Sequence, residues 1–385
     1  MNIANKIKLS FFIAILFVGI VITSIVYYEV NKILQVSITE QLITTIQSRQ
    51  NHIETFLEMQ RNAIIQMSES VVIKDFLSSD KQTAVYIESY NSVMKRLQCT
   101  EVISKNVYEI FVLDVNGKIV VSSDKKNIGL DKSNNMYFLS GKVKSSIKDA
   151  YFSKTEGRGS IAFSAPIIES NTEKLLGVVV ARIGLGLLDK ITMDNTGLKK
   201  TGEIYLINKY GYMITPSRFI EETYLKQKIN LKSMTKSFSN SKKNGDETSE
   251  SHFFLYKDYR GISVFGTYVP IKEMNWVLVV KIDEKEVMVP LVKILLFVFG
   301  LHIILILIAL LMTNFVAGFI TKPIRKLCKG TEIIGSGNLN YKVATQVNDE
   351  IGQLSRAFDK MTENLKQTVV SRDYVDNIVS SIADI

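Results

Sequence analysis

The side chains that most often carry phosphoryl, metal or thiol chemistry are scarce in this sequence: three histidines, His52, His252 and His302, and two cysteines, Cys99 and Cys328. None stands at the close Cys/His spacing of a zinc site, and no Gly-rich loop of the P-loop type is present to cradle a nucleotide's phosphates. What these residues can do depends on which side of a membrane each lies. The topology derived next leaves His52 and His252 outside, His302 within an apolar span, and the two thiols on opposite sides. A phospho-accepting histidine in the cytoplasm is then missing, and Cys99 cannot pair with Cys328 in one chain. Catalysis is not expected, no cofactor or metal is implied, and the thiols are read as incidental core residues. An imidazole at the depth of His302 either serves function or hydrogen-bonds to a neighbouring helix.

The topology rests on two uncharged runs, Leu9 to Tyr28 and Ile294 to Thr321. About 20 helical residues cross the hydrocarbon of a bilayer, so each is long enough. Spans over 9–29 and 291–316 follow. The first run, preceded by Lys6 and Lys8, also has the layout of a cleavable signal peptide. It ends, however, in bulky Ile25-Val26-Tyr27-Tyr28 with no small-residue cleavage site, which favours an uncleaved anchor. Basic residues at the membrane ends, Lys6 and Lys8 before the first span and Lys322, Arg325, Lys326 and Lys329 after the second, put both termini in the cytoplasm of a plasma-membrane protein. Residues 1–8 are then a cytoplasmic end and 30–290 an external region. The net charge of +9 is dispersed through stretches such as Lys199-Lys200 and Lys242-Lys243, without a basic stripe interleaved with aromatics, so no nucleic-acid partner is expected.

The external region opens with apolar residues at helical spacing, Ile33, Leu34, Ile38, Leu42, Ile46, Ile53 and Phe56, which predicts a long helix over 31–68. A second helix is predicted over 84–97, after the polar turn Ser78-Ser79-Asp80-Lys81. From Tyr108 the period changes to two β-rich runs around Asn116-Gly117, a hairpin signal. The layout returns at 202–215 around Asn208 and Gly211. Strand-like runs 161–167 and 178–183 close the first copy, and 265–271 and 278–282 close the second in the same order. Either these are two tandem α+β modules on antiparallel sheets, about 70–192 and about 195–285, or two unrelated β-rich regions with common turn chemistry. Trp276 is read as core of the second.

Beyond the second span, Pro323 predicts a helix start and Gly335-Ser336-Gly337 its end, with an extended connector over 338–348. Ile351, Leu354, Phe358, Met361 and Leu365 then form an a/d seam behind Asp349-Glu350. Two short amphipathic helices each expose an apolar stripe, which a second copy of the chain would cover as a parallel four-helix bundle, making a homodimer. In Pro323, Glu332, the Gly337-Asn338-Leu339 turn, and Asp349-Glu350-Ile351-Gly352 followed by Leu354, Phe358 and Met361, residues 317–368 resemble the HAMP linker of bacterial receptors. The resemblance implies that these residues relay a signal. Residues 369–385, with Ser371 to Ile378, look like the helix that in similar sensors leads to a cytoplasmic output module, and no such module fits before Ile385.

The external region in turn resembles the double Cache domain of bacterial sensors. The residues that carry the likeness are Phe111-Val112-Leu113-Asp114 with Asn116-Gly117, Tyr137-Phe138, Ser164-Ala165-Pro166-Ile167, Gly177-Val178-Val179 and Thr201 to Leu206. In that family the distal, first module holds a small molecule beneath its sheet. The resemblance thereby points to Tyr137, Phe138, Tyr151, Phe163 and Arg182 as ligand-binding residues. Ordinary core packing is the alternative for the aromatics, and a surface strand position for Arg182. The amino-acid-binding subset has an Arg two positions before the aromatic pair. Asn135 stands there instead and removes the bidentate partner of an α-carboxylate, which speaks against an amino-acid ligand.

Three functions remain open. The chain is a homodimeric membrane receptor for a small molecule, or the sensor portion of a histidine kinase or diguanylate cyclase, or a regulator that dimerises with a full-length sensor.

Overall fold

The computed structural model describes residues 3–103, 106–153, 157–230, 254–343 and 348–383. His252 and the Lys242-Lys243 pair fall outside them. The chain divides into two compact units, Lys32–Val289 and a second made of Met1–Asn31 with Pro290–Ile385.

Helix α1 runs unbroken over Ile3–Ser68, because no Gly or Pro interrupts residues 20–68. The anticipated span and the helix after it are therefore one element. Beyond Asn31, α1 buries Ile38, Leu42, Ile46, Ile53, Phe56 and Leu57, at the steps of three, four and seven that keep side chains on one face. Ile33, predicted on that face, is exposed. After a two-residue break the chain re-enters a helix, α2 (Val71–Ser78), which the sequence reading did not anticipate, and then α3 (Ala84–Ile103), longer than the predicted 84–97.

The first sheet contains β1 (Val107–Asp114), β2 (Ile119–Ser122), β3 (Ser146–Ser153), β4 (Arg158–Ile168) and β5 (Leu175–Gly184), all antiparallel, in the order β2-β1-β5-β4-β3. Its first hairpin turns at Gly117, whose φ of +85° lies in the region that glycine occupies without strain. A short helix α4 (Met136–Gly141) sits between β2 and β3, and α5 (Gly186–Met193) follows β5. The second sheet, β6 (Glu203–Ile207), β7 (Phe254–Lys257), β8 (Ser263–Ile271) and β9 (Trp276–Asp283), has the order β6-β9-β8-β7. Strand β9 stands between β6 and β8 as β5 stands between β1 and β4, so the repetition read from the sequence is a repetition of topology. The return run after Gly211 is the exception. The bridge between Met213 and Ile207 is flanked by Asn208 N–H to Tyr212 O and Ile214 N–H to Leu206 O, both 2.9 Å, while Met213 itself bonds to Gln227 and Leu225; the ladder goes no further, since Pro216 lacks the N–H it needs.

Alternation sorts each strand between two cores. One face of both sheets packs with α1 in a shared core that includes Ile110, Val112, Phe163, Val179, Leu206, Trp276 and Val280. Polar straps add to it: Arg49 of α1 pairs with Asp194 at 2.7 Å, Gln50 donates to the Pro270 carbonyl at 3.3 Å, and Arg61 pairs with Glu273. Trp276 is fully buried, as expected, and its Nε1 donates across to Asp149 of β3 at 2.7 Å.

Helix α6 (Glu284–Val316) leaves β9 directly. Glu286 in its first turn accepts from the backbone N–H groups of Lys200 and Thr201 at 3.0 and 2.8 Å, which ties the helix start to the second sheet. In the other unit α6 does not stop before Pro323. It passes through a π-helical turn, Ala317–Thr321, into α7 (Lys322–Gly335). The wider turn absorbs the missing N–H and the ring of Pro323 that would otherwise break the helix. His302 bonds its Nδ1 to the Val298 carbonyl at 2.7 Å and packs on Gly19 of α1.

After α7, Gly337 adopts φ +101°, Val343 is buried and donates its N–H to Asp359 Oδ1 at 2.8 Å, and α8 (Glu350–Ala383) follows. Asp349 caps α8, accepting from Gly352 N at 2.9 Å. The seam divides: Gly352, Ser355 and Thr362 are buried and Ile351 and Phe358 half-buried, whereas Leu354, Met361 and Leu365 are 60%, 48% and 45% exposed.

Gly177 of β5 lies against the Leu113 carbonyl so closely that a Cβ has no room, whereas Gly186 has nothing within 4 Å. Gly177→Ala is expected to cost about 1–3 kcal/mol and lower the melting temperature by several degrees, with Gly186→Ala leaving it unchanged in the same circular-dichroism melts. Equal behaviour of the two variants would contradict this packing.

Candidate functional site

The face of the first sheet turned away from α1 carries the second, smaller core of Phe111, Leu113, Tyr137, Phe138, Ala162 and Val180. Helix α4 closes part of that face, and Tyr137 meets Phe111 edge-on at 5.7 Å. Beside it opens a cavity of about 230 Å³ lined by Glu109 and Phe111 of β1, Asn127, Lys132 and Asn135 of the β2–α4 segment, Tyr137 of α4, Lys148, Tyr151 and Ser153 of β3, and Arg182 of β5.

Three residues named from the sequence, Tyr137, Tyr151 and Arg182, therefore meet at one cavity, and two do not. Phe163 pairs in register with Ala181, whereas Arg182 pairs with Ala162. Because neighbours along a strand point to opposite faces, Phe163 belongs to the α1 side of the sheet. Phe138 is buried in the small core beside the cavity without lining it. Arg182 is no surface residue. It pairs with Glu109 through Nη1 at 2.8 Å, donates through Nε to Tyr151 at 3.1 Å and through Nη2 to Ser153 at 2.9 Å, and covers the Tyr108 ring at 5.0 Å. Glu109, directly opposite Arg182 in the β1–β5 register, has a side chain only 3% exposed. It also accepts from Ser122 at 2.9 Å and Asn127 at 2.6 Å. Such a pair is sustained only when its remaining hydrogen bonds are made, as they are here.

The sequence reading missed Glu109 and Lys148. A carboxylate in the run Val107 to Leu113, otherwise apolar or aromatic, signals a buried partner. Lys148 gave no signal, because β3 lacks the β-branched pattern of its neighbours. The Lys148 ammonium donates to Asn135 at 3.0 Å and lies over the rings of Tyr151 and Tyr137 at 4.4 and 5.2 Å. No carboxylate among the described residues is within ion-pairing distance of Lys148 or Lys132. Among the described residues the cavity thus holds three cationic side chains against one carboxylate, which Arg182 already neutralises.

Proton equilibria reflect this. Burial raises the Tyr137 and Tyr151 phenols above their usual range and keeps them neutral. Burial acts against the Arg182 charge, but Tyr151 and Glu109 more than offset it. For Lys148, burial first and then the charges of Arg182 and Lys132 hold the ammonium below the ordinary lysine value.

Two tandem sheets packed on a helix continuous with a membrane-length apolar segment define the sensing part of a membrane signal receptor. Residues 30–291 match the Cache domain family (dCache) and residues 315–367 the HAMP domain, and the chain belongs to the Cache family. It senses through the Cache region and relays through the HAMP region; no catalytic domain is among the matched segments. Two helices, Leu9–Ser68 and Glu284–Gly335, are long and apolar enough to cross a membrane.

The chain is 32% identical over 74 residues to the sensor protein SrrB of Staphylococcus aureus, a match that spans 18% of this chain and only 13% of that relative's length. Its fold is similar to the extracellular domain of rpHK1S-Z16, with TM-score 0.50, 17% identity, and coverage of 66% of this chain and 98% of that one. The ligand-binding domain of the Campylobacter jejuni chemoreceptor Tlp3 in complex with 4-methylisoleucine matches with TM-score 0.50, 17% identity, and coverage of 66% and 94%.

A lysine with a depressed folded pKa lowers stability while it is charged in the fold, and that handicap disappears as pH rises toward the unfolded value near 10.5. Lys148→Met is therefore expected to raise the melting temperature at pH 7, by a margin that shrinks as the pH approaches 10.5. A lower melting temperature at pH 7 would show that Lys148 is a structural cation.

Proposed function

We propose that this chain is a two-pass plasma-membrane receptor with both termini in the cytoplasm, whose distal module captures a small anion in the cavity beneath its first sheet. The observation that carries the reading is the excess of cations there: among the described residues no carboxylate is within ion-pairing distance of Lys148 or Lys132, on which the neighbouring Asp131 acts only at longer range, and Arg182 is already neutralised by Glu109. The same arrangement disfavours zwitterions. An ammonium group would find Glu109 engaged by Arg182, Asn127 and Ser122. A mono- or dicarboxylate suits the site better than an α-amino acid, in keeping with Asn135 at the position where the amino-acid-binding subset has Arg. At about 230 Å³ the cavity is smaller than the ~300–1,000 Å³ typical of drug-sized ligands, so the occupant is of metabolite size.

The relay follows the chain. Helix α1 packs on both sheets, α6 is anchored at Glu286, and the π turn before Pro323 connects it to the HAMP helices. Leu354, Met361 and Leu365 leave an apolar stripe that a second copy covers, so the working unit is a homodimer. Pro323, Glu332, Gly337, Leu339, Asp349, Glu350, Ile351 and Phe358 shape that relay. A ligand drives it only through different affinities for two arrangements of the dimer. The chain itself works as sensor and relay without catalysis. Output passes to a kinase or cyclase, on the same polypeptide or on a full-length sensor with which the chain pairs; the coding sequence past Ile385 separates these.

Isothermal titration of the full chain in lipid nanodiscs with acetate, malonate and succinate tests the reading. At least one is expected to bind saturably, and Lys148→Met to weaken it about tenfold or more through the lost charge-assisted bond. Absence of binding by all three, or equal binding by the methyl esters, would contradict an anion site.

A further inference from the structure

A second cavity, of opposite electrostatic character, lies between the two sheet modules. It measures about 630 Å³ and is bounded on one side by Phe152, Gly159, Leu185 and Asp189, and on the other by residues 216–224. The two walls are joined where Tyr224 donates its hydroxyl to the Tyr151 carbonyl at 3.2 Å and lies against Gly159. Among the described residues three carboxylates line the cleft, Asp189, Glu221 and Glu222, against one cation, Arg218. Arg218 is turned to the protein, where Nη1 donates to the Gly202 carbonyl and the guanidinium lies 5.7 Å from the Phe219 ring. Glu222 is taken by Lys226 at 2.6 Å.

Asp189 is the anomaly. It stands in the first turn of α5, and its Oδ1 is buried without a hydrogen-bond partner. A carboxylate oxygen shut away from water with no donor is costly unless something supplies one. Burial pushes its pKa up to about 6, which leaves it ionised at pH 7. The exposed ring of Phe152 and the ring of Tyr224 line the same cleft and offer faces that attract a cation through their π systems, while the Phe219 ring, already stacked with Arg260 at 4.3 Å, adds apolar surface.

We propose that this cleft is a second ligand site, for a small organic cation: an amine or quaternary ammonium whose charge meets Asp189 and whose apolar body rests on Phe152, Phe219 and Tyr224. It takes the opposite charge from the first cavity, and Phe152 lines both. An occupant touches both modules at once, so it biases their arrangement as well as filling a hole.

The test is isothermal titration of the full chain in nanodiscs with phenethylamine, and with phenethyl alcohol as its uncharged counterpart. Saturable millimolar or tighter binding of the amine is expected. Asp189→Asn should weaken it about tenfold or more, Phe219→Ala should weaken it less, and Lys148→Met should leave it unchanged, which separates this site from the anion site. Asp189→Asn removes an unpartnered buried charge and is expected to melt at or above the wild-type temperature at pH 7. No saturable heat with the amine, equal binding by the alcohol, or undiminished binding by both the Asp189→Asn and Phe219→Ala proteins would overturn the proposal.

Discussion

A guanidinium and a carboxylate are each expensive to remove from water, and much less so together. The pair Glu109–Arg182 meets that constraint across adjacent strands, and much of the first module follows from it. Arg182 draws Tyr151 and Ser153 of β3 toward β5, and Glu109 draws Asn127 and Ser122 inward. Polar groups from five segments thus converge on one face of a sheet whose other face packs into the mainly apolar core shared with α1. With its carboxylate and guanidinium satisfied by each other, the cavity's residual charge is set by Lys148 and Lys132.

The second module repeats the device and closes it. Glu203 and Lys281 are partners in the β6–β9 register as Glu109 and Arg182 are in β1–β5, with both side chains fully buried and 2.8 Å apart. Here the surrounding space is filled by the chain itself. Ser217 and Tyr259 hydroxyls bond Glu203 at 2.7 Å, Asp258 joins Lys281, and Phe219 covers Arg260 at 4.3 Å. The duplicated acid–base pair is a finding of the structure that the repeat in strand order only hinted at. In one module the pair borders an open cavity, and in the other it stiffens the sheet from which α6 departs.

Much of the fold was legible because its signals are local. Asn116-Gly117 between β-rich runs can hardly be other than a hairpin, and the uninterrupted helical spacing after Asn31 gave the long helix. The losses have equally local causes. Val71–Ser78 is too short for periodicity to accumulate, and the π turn that joins α6 to the helix opened at Pro323 leaves no composition signature. In the site, Tyr137, Tyr151 and Arg182 were found by likeness to a family. Phe163 was misplaced although alternation and the β4–β5 register put it opposite Arg182's face. Lys148 was invisible, since a lysine in an undistinguished strand acquires meaning only from the rings and charges that the fold brings around it.

Lys148 carries its charge at a cost, against burial and the charges of Arg182 and Lys132, and that cost is what the proposed anion would relieve. The most direct measurement is NMR of reductively methylated lysines, with the Lys148 resonance assigned by Lys148→Met and titrated with pH in the free protein and in the presence of a saturating carboxylate. The expected result is a Lys148 pKa below that of the surface lysines in the free protein, rising when the anion is present. A Lys148 that titrates with the surface lysines, or whose pKa is indifferent to every carboxylate, would contradict it.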